Sequence, residues 1–496
     1  MTVLTRRQFL IGSAALAWWT PGCANRFPEP GPTLVNDIHS QLNPTRVYRV
    51  VRPDSLEALQ TAVRNARAEG RGVSIAGGRH AAGGQQFGHD TILVDMVAMN
   101  RVLNFDPVRG QVHVEAGIQW PELIDSLVRV QGGRGPQWGI VQKQGVDRMS
   151  IGGALAANVH GSGLRLKPFV GDVESFVLVD ADGVPQTCDR RTNADLFRLA
   201  IGGYGLFGAI SSVRLRLAPR RKLERVVEVI EVEDLVPAVE KRIADGFLYG
   251  NFQYATDESS DDFLRKGVFS CYCPVDESTP VPEGVKDLSE EGWRKLLYLS
   301  HADKKRAFEI YSTEYLSTSG QIYWSDTHQL TVYVNQYHAW LDRKLGAAEK
   351  ATEVLIEFFV PRNALVRFLE DVRKDFRGNK VDLIFGSIRF IERDDESFLA
   401  WAKQPYACVV FNIHTVHTPL DLERSAHTFR RLVDLAIRYG GSYYLTYHRW
   451  ATRRQVEACY PQFVEFLMLK RKYDPAERFQ SDWYRHYKAM FADALG

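Results

Sequence analysis

The chain has 496 residues, of which 45% are hydrophobic and 25% charged, a composition typical of globular proteins with two or three domains. Its net charge of +2 lacks the strongly basic character of nucleic-acid-binding proteins, so we expect no nucleic-acid partner. The six cysteines are too few and too scattered for a disulfide framework. Cys271 and Cys273 are one residue short of the CxxC spacing, so we expect them on opposite faces of a strand and predict no metal site.

The first 23 residues (1–23) predict an export signal. Arg6 and Arg7 precede an apolar run that is too short to span a bilayer. The string TRRQFL (5–10) resembles a twin-arginine signal, an address that an export receptor reads. We therefore expect a periplasmic protein that leaves the cytoplasm by the twin-arginine route. Cys23 occupies the position of a lipidated cysteine, and a membrane anchor at this residue stays an open alternative.

Residues 24–44 contain several prolines and are predicted to form a linker. The first domain, 45–219, alternates short β-branched runs with helical segments, which predicts an α+β arrangement. Its predicted strands span 47–51, 72–76, 91–96, 111–117, 174–183 and 208–219, and its predicted helices span 55–69, 120–130 and 194–200.

The second domain, 220–469, is predicted to form a sheet with helices beside it. Its strand-like runs lie at 225–232, 249–256, 267–273, 329–335, 352–360, 383–391 and 406–415, with helices from Asp234, at 361–376 and at 421–439. Residues 276–325, with prolines and mixed charge, are predicted to be the least regular part and a mobile cap.

Three glycine-rich segments occur in the first domain. They read SIAGGRHAAGGQQ (74–86), SIGGALAANVHGSG (150–163) and GGYGLFG (202–208). Glycine allows backbone angles and close approaches that a Cβ forbids, so such a loop can present several N–H groups to one anion. Three of these loops in one half of the chain predict a large phosphorylated cofactor, with His80 held against it.

The order of these segments resembles the FAD-binding domain of the vanillyl-alcohol oxidase (PCMH-type) superfamily. AGGRH (76–80), followed by Gly84 and Gln85, is similar to the pyrophosphate loop of that family. The segment 150–163 and DLFRLAIGGYGLFGAI (195–210) are similar to two further flavin-contacting segments. RKYDPAERFQSDW (471–483) is similar to the segment by which the chain returns to the flavin, so residues 470–496 are expected to close the site.

Two branches of the superfamily share further motifs with this chain. AANVHG (156–161) and YYLTYHRWATRRQVEACYP (443–461) resemble decaprenylphosphoryl-ribose oxidase and its relatives. SIRFIERDD (387–395) resembles alditol and aldonolactone oxidases. His80 separates this chain from the first branch, and Tyr447 stands where that branch has a substrate-site lysine.

The resemblance implies an α+β fold, in which a PCMH-type FAD-binding domain of two α/β subdomains joins a substrate domain with an antiparallel β-sheet flanked by helices. It implies FAD as the cofactor, held covalently through His80; the alternative is a loop histidine that bonds a phosphate or the backbone. Contacts with FAD are implied for Ala76, Gly77, Gly78, Arg79, His80, Ala81, Gly84, Gln85, Gly117, Ser150, Gly152, Gly153, Asn158, Gly161, Gly208, Ile210 and Ser481.

Three side chains are predicted to act on the substrate. Either His160, which follows the second flavin segment, or Tyr447 is expected to polarise or deprotonate a substrate hydroxyl, and a structural histidine is the alternative for His160. Arg389 is expected to bind substrate oxygens or stabilise the anionic reduced flavin, with a solvated strand arginine as the alternative. Tyr447 and His448 are consecutive, so only one of them can face the flavin if they lie in a strand, and the resemblance favours Tyr447.

The acidic residues after Arg389, namely Glu392, Asp394 and Asp395, are predicted to form a solvated turn. The predicted function is FAD-dependent oxidation of a C–OH group of a sugar, polyol or sugar lactone by hydride transfer to flavin N5. Oxygen, a quinone or a cytochrome would accept the electrons. Two alternatives stay open: the oxidase subunit of a two-protein epimerase that acts on a lipid-linked sugar, and a non-catalytic binding protein that kept the flavin fold.

Overall fold

The computed structural model describes residues 32–132, 137–282, 288–329, 334 and 337–496. The predicted export signal and Cys23 lie outside these residues.

Helices and strands mix in both halves of the chain, which confirms the predicted α+β class. The first half contains β1 (Thr33–Val35), β2 (Thr45–Val47), β3 (Arg49–Val51), α1 (Leu56–Ala68), β4 (Val73–Ala76), β5 (Ile92–Asp95), β6 (Val102–Asp106), β7 (Gln111–Glu115), α2 (Trp120–Gln131), β8 (Trp138–Ile140), α3 (Ile151–Ala157), β9 (Val173–Val179), β10 (Pro185–Asp189), α4 (Ala194–Ala200) and β11 (Ala209–Pro219).

The first half is built on two main sheets. A three-stranded parallel sheet has the order β3-β5-β4, and a larger, mostly antiparallel sheet contains β10, β9, β11, β7 and β6, with β8 beside β11. Helix α1 covers the parallel sheet because its Leu59, Val63 and Ala66 recur at helical spacing and are fully buried. The side chain of Ser55 caps this helix by accepting the N–H of Ala58.

The second half is built on one large antiparallel sheet with the order β15-β12-β14-β13-β17-β18-β16-β19. Its elements are β12 (Lys222–Glu231), α5 (Val232–Ala244), β13 (Tyr249–Tyr254), β14 (Lys266–Pro274), α6 (Glu290–Ala302), α7 (Lys304–Ser317), β15 (Ile322–Trp324), α8 (Tyr337–Leu345), β16 (Ala351–Pro361), α9 (Leu365–Asn379), β17 (Leu383–Ile391), β18 (Tyr406–Val416), α10 (Pro419–Arg438), β19 (Ser442–Tyr443), α11 (Arg453–Cys459), α12 (Phe463–Tyr473), α13 (Asp482–Met490) and α14 (Ala492–Leu495).

The end of the chain returns to the first half. The N–H of Val73 in β4 donates to the carbonyl of Arg478 at 2.7 Å, and the N–H of Gln480 donates back to the carbonyl of Val73 at 2.7 Å. The segment before α13 therefore runs beside the parallel sheet, next to the strand that leads into the first glycine loop.

Two predictions about irregular segments are wrong. The part of the predicted linker that is described, 32–44, is packed: β1 pairs with β2, and the amide of Asn43 donates to the carbonyl of Ala82 at 2.7 Å. Residues 276–325, predicted to be the least regular part, contain α6 and α7. Their mixed charge hid the helical spacing of the apolar residues that pack on the sheet, among them Leu296 and Tyr311.

The predicted strand at 329–335 is also wrong where the structure describes it. Gln329 ends a short 3-10 helix, Thr327–Gln329, and most of the remaining residues of that segment are outside the described ones. Cys271 and Cys273 lie in β14 as predicted, but two residues apart in a regular strand share one face, so the expectation of opposite faces is wrong. Over the described ranges, we find no helix with the length and apolar character that crossing a membrane requires.

Candidate active site

One cavity of about 830 Å³ lies where the two halves of the chain meet. Its floor is one face of the large sheet, because alternate residues such as Ser387 and Arg389 of β17 line it. Helices α6 and α7 cover the cavity from the opposite side, and residues 143–149 and 159–162 of the first half form a third wall. Cavities of about 300–1,000 Å³ hold drug-sized ligands, so this one has room for a substrate.

The first glycine loop has the geometry of an anion cradle. Among the described residues, no hydrogen-bond partner is recorded for the backbone N–H groups of Gly77, Gly78, Arg79 and Ala81. The loop is fixed because Nη2 of Arg79 donates to Oδ2 of Asp95 at 3.0 Å. Several unpaired N–H groups on one short loop are what a pyrophosphate group needs.

The second glycine segment packs directly against the first. A Cβ on Gly77 would collide with Oγ of Ser150, and a Cβ on Gly78 would collide with the carbonyl of Arg148. Ser150 caps α3 by accepting the N–H of Gly153. The close approach of the two loops explains why glycine is needed here, and the loops together fit the diphosphate part of FAD.

The other residues expected at the cofactor occupy three kinds of position. Ala76 ends β4, Gly84 adopts a φ of 78°, and Gly208 precedes β11 with Ile210 buried in that strand. Gly117, Gly152 and Gly161 are crowded by Met96, Ala116 and Lys143, so none of the three tolerates a side chain. Ser481 is buried and caps α13 in the returning segment.

The amide side chains of Gln85 and Asn158, two more of the expected cofactor contacts, also bond within the protein. The amide nitrogen of Gln85 donates to the carbonyl of Leu445 at 2.7 Å, which ties the first loop to the turn before Tyr447. The amide nitrogen of Asn158 donates to Oδ2 of Asp394 at 2.8 Å, and its oxygen accepts the N–H of Val170 at 3.0 Å. Both side chains therefore shape the loops rather than point at a ligand.

The prediction that the acidic residues after Arg389 form a solvated turn is wrong for Asp394. This carboxylate is buried because it holds Asn158 and also accepts the backbone N–H groups of Glu396 and Ser397. Glu392 forms an ion pair with Arg362, and Asp395 forms one with Lys167.

His80 lies in the cavity wall and is 8% exposed. Its Nδ1 lies 2.9 Å from Nε2 of His39, a residue of the segment predicted to be a linker. Burial, with a smaller contribution from His39, lowers the pKa of His80 to about 3. The imidazole is therefore neutral at physiological pH, which is the nucleophilic form of the side chain.

His160 and Tyr447 meet at a carboxylate that the sequence analysis missed. Oε1 of Glu357 lies 2.6 Å from Nε2 of His160, and the hydroxyl of Tyr447 donates to Oε2 of the same carboxylate at 3.2 Å. Nδ1 of His160 lies 3.2 Å from the carbonyl of Gly161. Burial, and then the charge of Glu357, raise the pKa of Tyr447 well above its usual value, so its hydroxyl stays protonated.

Tyr447 lies in a turn rather than in a strand, so the expectation that Tyr447 and His448 point to opposite faces of a sheet does not apply. The ring of His448 instead stacks on Trp450 at 4.3 Å between centroids. The turn is anchored from two sides, because the N–H of Ala82 donates to the carbonyl of Thr446 at 3.1 Å and Gln85 holds Leu445. The first glycine loop and Tyr447 are thus parts of one rigid unit.

Arg389 on the floor and Lys143 on the third wall bring positive charge to one part of the cavity. Arg389 is half-buried, and its Nη2 is 2.8 Å from the position a Cβ on Gly145 would take. Among the described residues no carboxylate lies within ion-pair distance of Arg389. Lys143 is buried and pairs with Asp147 at 2.5 Å, and burial lowers the pKa of Lys143. Arg389 is therefore available to a ligand, whereas Lys143 is neutralised by its partner.

Glu353 forms a second buried cluster on the same face of β16 as Glu357. Its carboxylate contacts Nε2 of His301 at 3.0 Å, Nδ1 of His338 at 2.9 Å and the hydroxyl of Tyr337 at 2.5 Å. Burial raises the pKa of Glu353, but the hydrogen bonds from His301 and His338 outweigh it and hold the pKa below its usual value. The carboxylate of Glu353 therefore finds its partners within this cluster.

Glu357 could have been found from the sequence. It interrupts the apolar run of β16, and a charged residue within a strand that is otherwise buried usually has a partner or a function. No comparable signal points to Lys143 or Asp147, which lie in a loop.

Comparisons with known proteins agree with this geometry. Residues 48–189 match the family described as "FAD binding domain", a range that contains the first two glycine segments. The chain is 22% identical to mouse L-gulonolactone oxidase over 87% of this chain and 93% of that protein. It is 24% identical to L-gulono-1,4-lactone dehydrogenase of Mycobacterium tuberculosis over 88% of this chain and 95% of that protein.

A shorter similarity covers mainly one part of the chain. It is 30% identical to the putative D-arabinono-1,4-lactone oxidase of Neurospora crassa over 34% of this chain and 29% of that protein. The long similarities span both halves, so they include the cavity as well as the glycine loops. FAD, predicted from the resemblance, is confirmed as the cofactor.

Proposed function

Because the chain belongs to the FAD-binding oxidoreductases of the PCMH type and acts on CH–OH donors, we propose that it oxidises a hydroxyl-bearing carbon of a sugar lactone or a related polyol. The observation that carries this proposal is the carboxylate of Glu357, shared between His160 and Tyr447 at a cavity that also contains Arg389. That set contains a proton acceptor, a fixed donor and a cation, which is what alcohol oxidation requires of a protein.

The glycine loops would hold FAD. The free N–H groups of Gly77, Gly78, Arg79 and Ala81 would bind its pyrophosphate. His80, in the same loop, lines the cavity. Bound FAD supplies the acceptor for the hydride that leaves the substrate carbon.

His160 takes the hydroxyl proton of the substrate. Of the two polar contacts of His160, the one between Nδ1 and the carbonyl of Gly161 is the longer. A substrate hydroxyl that takes the place of this carbonyl would contact Nδ1. Glu357 holds the opposite nitrogen at 2.6 Å and stabilises the protonated ring, in the way a buried carboxylate supports a catalytic histidine. Tyr447 is protonated and holds the second oxygen of Glu357, so it positions the pair rather than removing a proton.

Arg389 binds substrate oxygen atoms. A guanidinium donates five N–H groups in one plane and stabilises negative charge that develops on oxygen. Its freedom from a carboxylate partner among the described residues leaves those donors to the substrate.

We also propose that His80 is covalently bound to the flavin. The imidazole is buried, neutral at physiological pH and placed at the cavity wall, which supports a nucleophilic role. Export by the twin-arginine route, supported by Arg6 and Arg7 ahead of a short apolar run, would make a covalent link useful because FAD is not replenished outside the cytoplasm.

The experiment is an anaerobic titration of the purified flavoprotein with aldonolactones, polyols and aldoses. The substrate should bleach the flavin absorbance stoichiometrically, and turnover should then follow with a dye acceptor or with oxygen. Flavin that stays oxidised with every compound of these classes would contradict the proposal and favour a binding protein. Replacement of Arg6 and Arg7 by lysine, with fractionation of the cells, tests export.

A further inference from the structure

We propose that the end of the cavity at Arg225 binds an anionic group, a carboxylate or a phosphate, of an acidic carbohydrate substrate. This inference rests on the proposed function, because it names the substrate class of the same cavity. It assigns a role in substrate specificity to Arg225, whose strand β12 is separated by two other strands from β17, which carries Arg389.

Arg225 is held in a fixed position within a cage of aromatic side chains. It is 7% exposed and lies in β12, directly opposite Tyr272 of β14. Its guanidinium carbon lies 4.7 Å from the ring centroid of Tyr323 and 5.2 Å from that of Tyr315. A guanidinium packed against aromatic rings loses little freedom when it binds a ligand, so the site is preorganised.

The hydrogen bonds of Arg225 leave one edge of the guanidinium open. Nε and Nη2 both donate to the hydroxyl of Tyr272, at 2.9 and 2.6 Å, and Nη1 donates to Oγ1 of Thr318 at 2.9 Å. These bonds use three of the five N–H groups of the side chain. One N–H remains on each of Nη1 and Nη2, so the guanidinium keeps two donors for a carboxylate or a phosphate.

No acidic residue balances this charge within the described part of the chain. Glu314 lines the same cavity, yet no carboxylate lies within ion-pair distance of Arg225. Lys143 and His160 of the same cavity each have a carboxylate partner, Asp147 and Glu357, whereas Arg389 and Arg225 have none among the described residues. A buried cation without a counter-charge is costly, so the cavity is completed by an anion that enters with the substrate.

The position of Arg225 in the sheet sets the size of the ligand. β12 is separated from β17, which carries Arg389, by β14 and β13, so three inter-strand steps lie between the two guanidinium-bearing strands. At about 4.8 Å a step, the two strands are about 14 Å apart. A single six-carbon lactone at Arg389 does not reach Arg225, whereas a disaccharide acid or a sugar with a spaced phosphate does.

The test is calorimetric binding to the anaerobic flavoprotein without an electron acceptor, using lactobionate and its neutral counterpart lactose. Lactose 1-phosphate replaces the carboxylate by phosphate and distinguishes the two sources of charge. We expect an anionic probe to bind at least about tenfold more tightly than lactose. In Arg225→Gln the preference should fall to about one while the affinity for lactose is unchanged.

Two further variants distinguish loss of the subsite from a folding defect. Arg225→Lys keeps the charge and should keep part of the preference for anions over lactose. Arg221→Gln removes a positive charge from an exposed position just before β12 and should keep the whole preference. Equal binding of lactose and both anions by the native protein, or an unchanged preference in Arg225→Gln, overturns the inference.

The outcome is separable from that of the proposed function. Oxidation of a neutral sugar lactone without any preference for anions would leave the oxidase activity standing and remove the subsite at Arg225. An anion preference that disappears in Arg225→Gln, without oxidation of any sugar, would support the subsite and remove the proposed activity.

Discussion

The carboxylate of Glu357 and the imidazole of His160 lie 2.6 Å apart although the two residues belong to different halves of the chain. His160 follows α3 in the half that carries the glycine loops, and Glu357 lies in β16 of the large sheet. The pair is therefore assembled only when the two halves dock. If it accepts the substrate proton as proposed, the reaction depends on the interface between the two halves.

Replacement of Glu357 by glutamine should lower kcat at least about 100-fold, because a neutral amide no longer stabilises the protonated ring of His160. The flavin content should not change, since Glu357 is not part of the glycine loops. Steady-state kinetics with a dye acceptor measures the effect. The matched control is Glu353→Gln, four residues earlier in the same strand, whose carboxylate binds other histidines. Equal losses in both variants would mean that the effect of Glu357 is not specific.

Replacement of His80 by alanine should release the flavin on acid precipitation. In the native protein we expect the yellow colour to stay with the precipitate, since the neutral, buried imidazole is the proposed attachment point. The absorbance of the supernatant after acid treatment is the measurement. His89→Ala, at an exposed histidine after the same loop, is the control and should behave like the native protein. Covalent flavin that survives in His80→Ala would show that the attachment lies elsewhere.

Replacement of Gly77 by alanine should abolish FAD binding or weaken it by orders of magnitude. The added Cβ would collide with Oγ of Ser150, so the first two glycine loops would have to separate. The ratio of flavin to protein absorbance in the purified variant reports the effect. Gly378→Ala, in α9 with open space around the added Cβ, should keep the native ratio. A normal flavin content in Gly77→Ala would exclude this loop as the cofactor cradle.

The carboxyl group of Asp172 predicts a pH dependence of stability. Burial raises the pKa of Asp172 to about 7, while the hydrogen bond from Gln142 lowers it only in part. The carboxyl group of Asp172 loses its proton near pH 4 in the unfolded chain and near pH 7 in the folded chain. The folded state therefore loses stability progressively as the pH rises from 4 to 7. Above pH 7 the total loss is about 4 kcal/mol at most.

Asp172→Asn should therefore melt at the same temperature as the native protein near pH 4 and at a higher temperature near pH 8. Thermal unfolding at several pH values checks this. A difference between the two proteins that does not depend on pH would show that the side chain acts through packing and not through its proton.

Much of the first half was predictable from the sequence because its signals are local. The strands before the glycine loops are short β-branched runs, and α1 has both a capping serine and apolar residues at helical spacing. The site was predictable only where a motif marked it, as for His160, Arg389 and Tyr447, which the structure brings to one cavity.

Partners in space were not predictable in the same way. Glu357 is 197 residues from His160, and Asp394 is 236 residues from Asn158, so no local pattern connects either pair. The segment after Arg389 looks solvated in sequence because four acidic residues lie within five positions, 392–396. Asp394 is nevertheless buried, because Asn158 and two backbone N–H groups satisfy it.

The first glycine loop depends on residues from the far end of the chain. Gln85 holds Leu445, 360 residues later, and the N–H of His89 donates to Asp482, 393 residues later. During synthesis the loop is thus made early but stays incomplete until the last α-helices have been translated. We therefore expect FAD to bind only after the whole chain has been synthesised. A truncation near the C-terminus should yield protein without flavin rather than a smaller active enzyme.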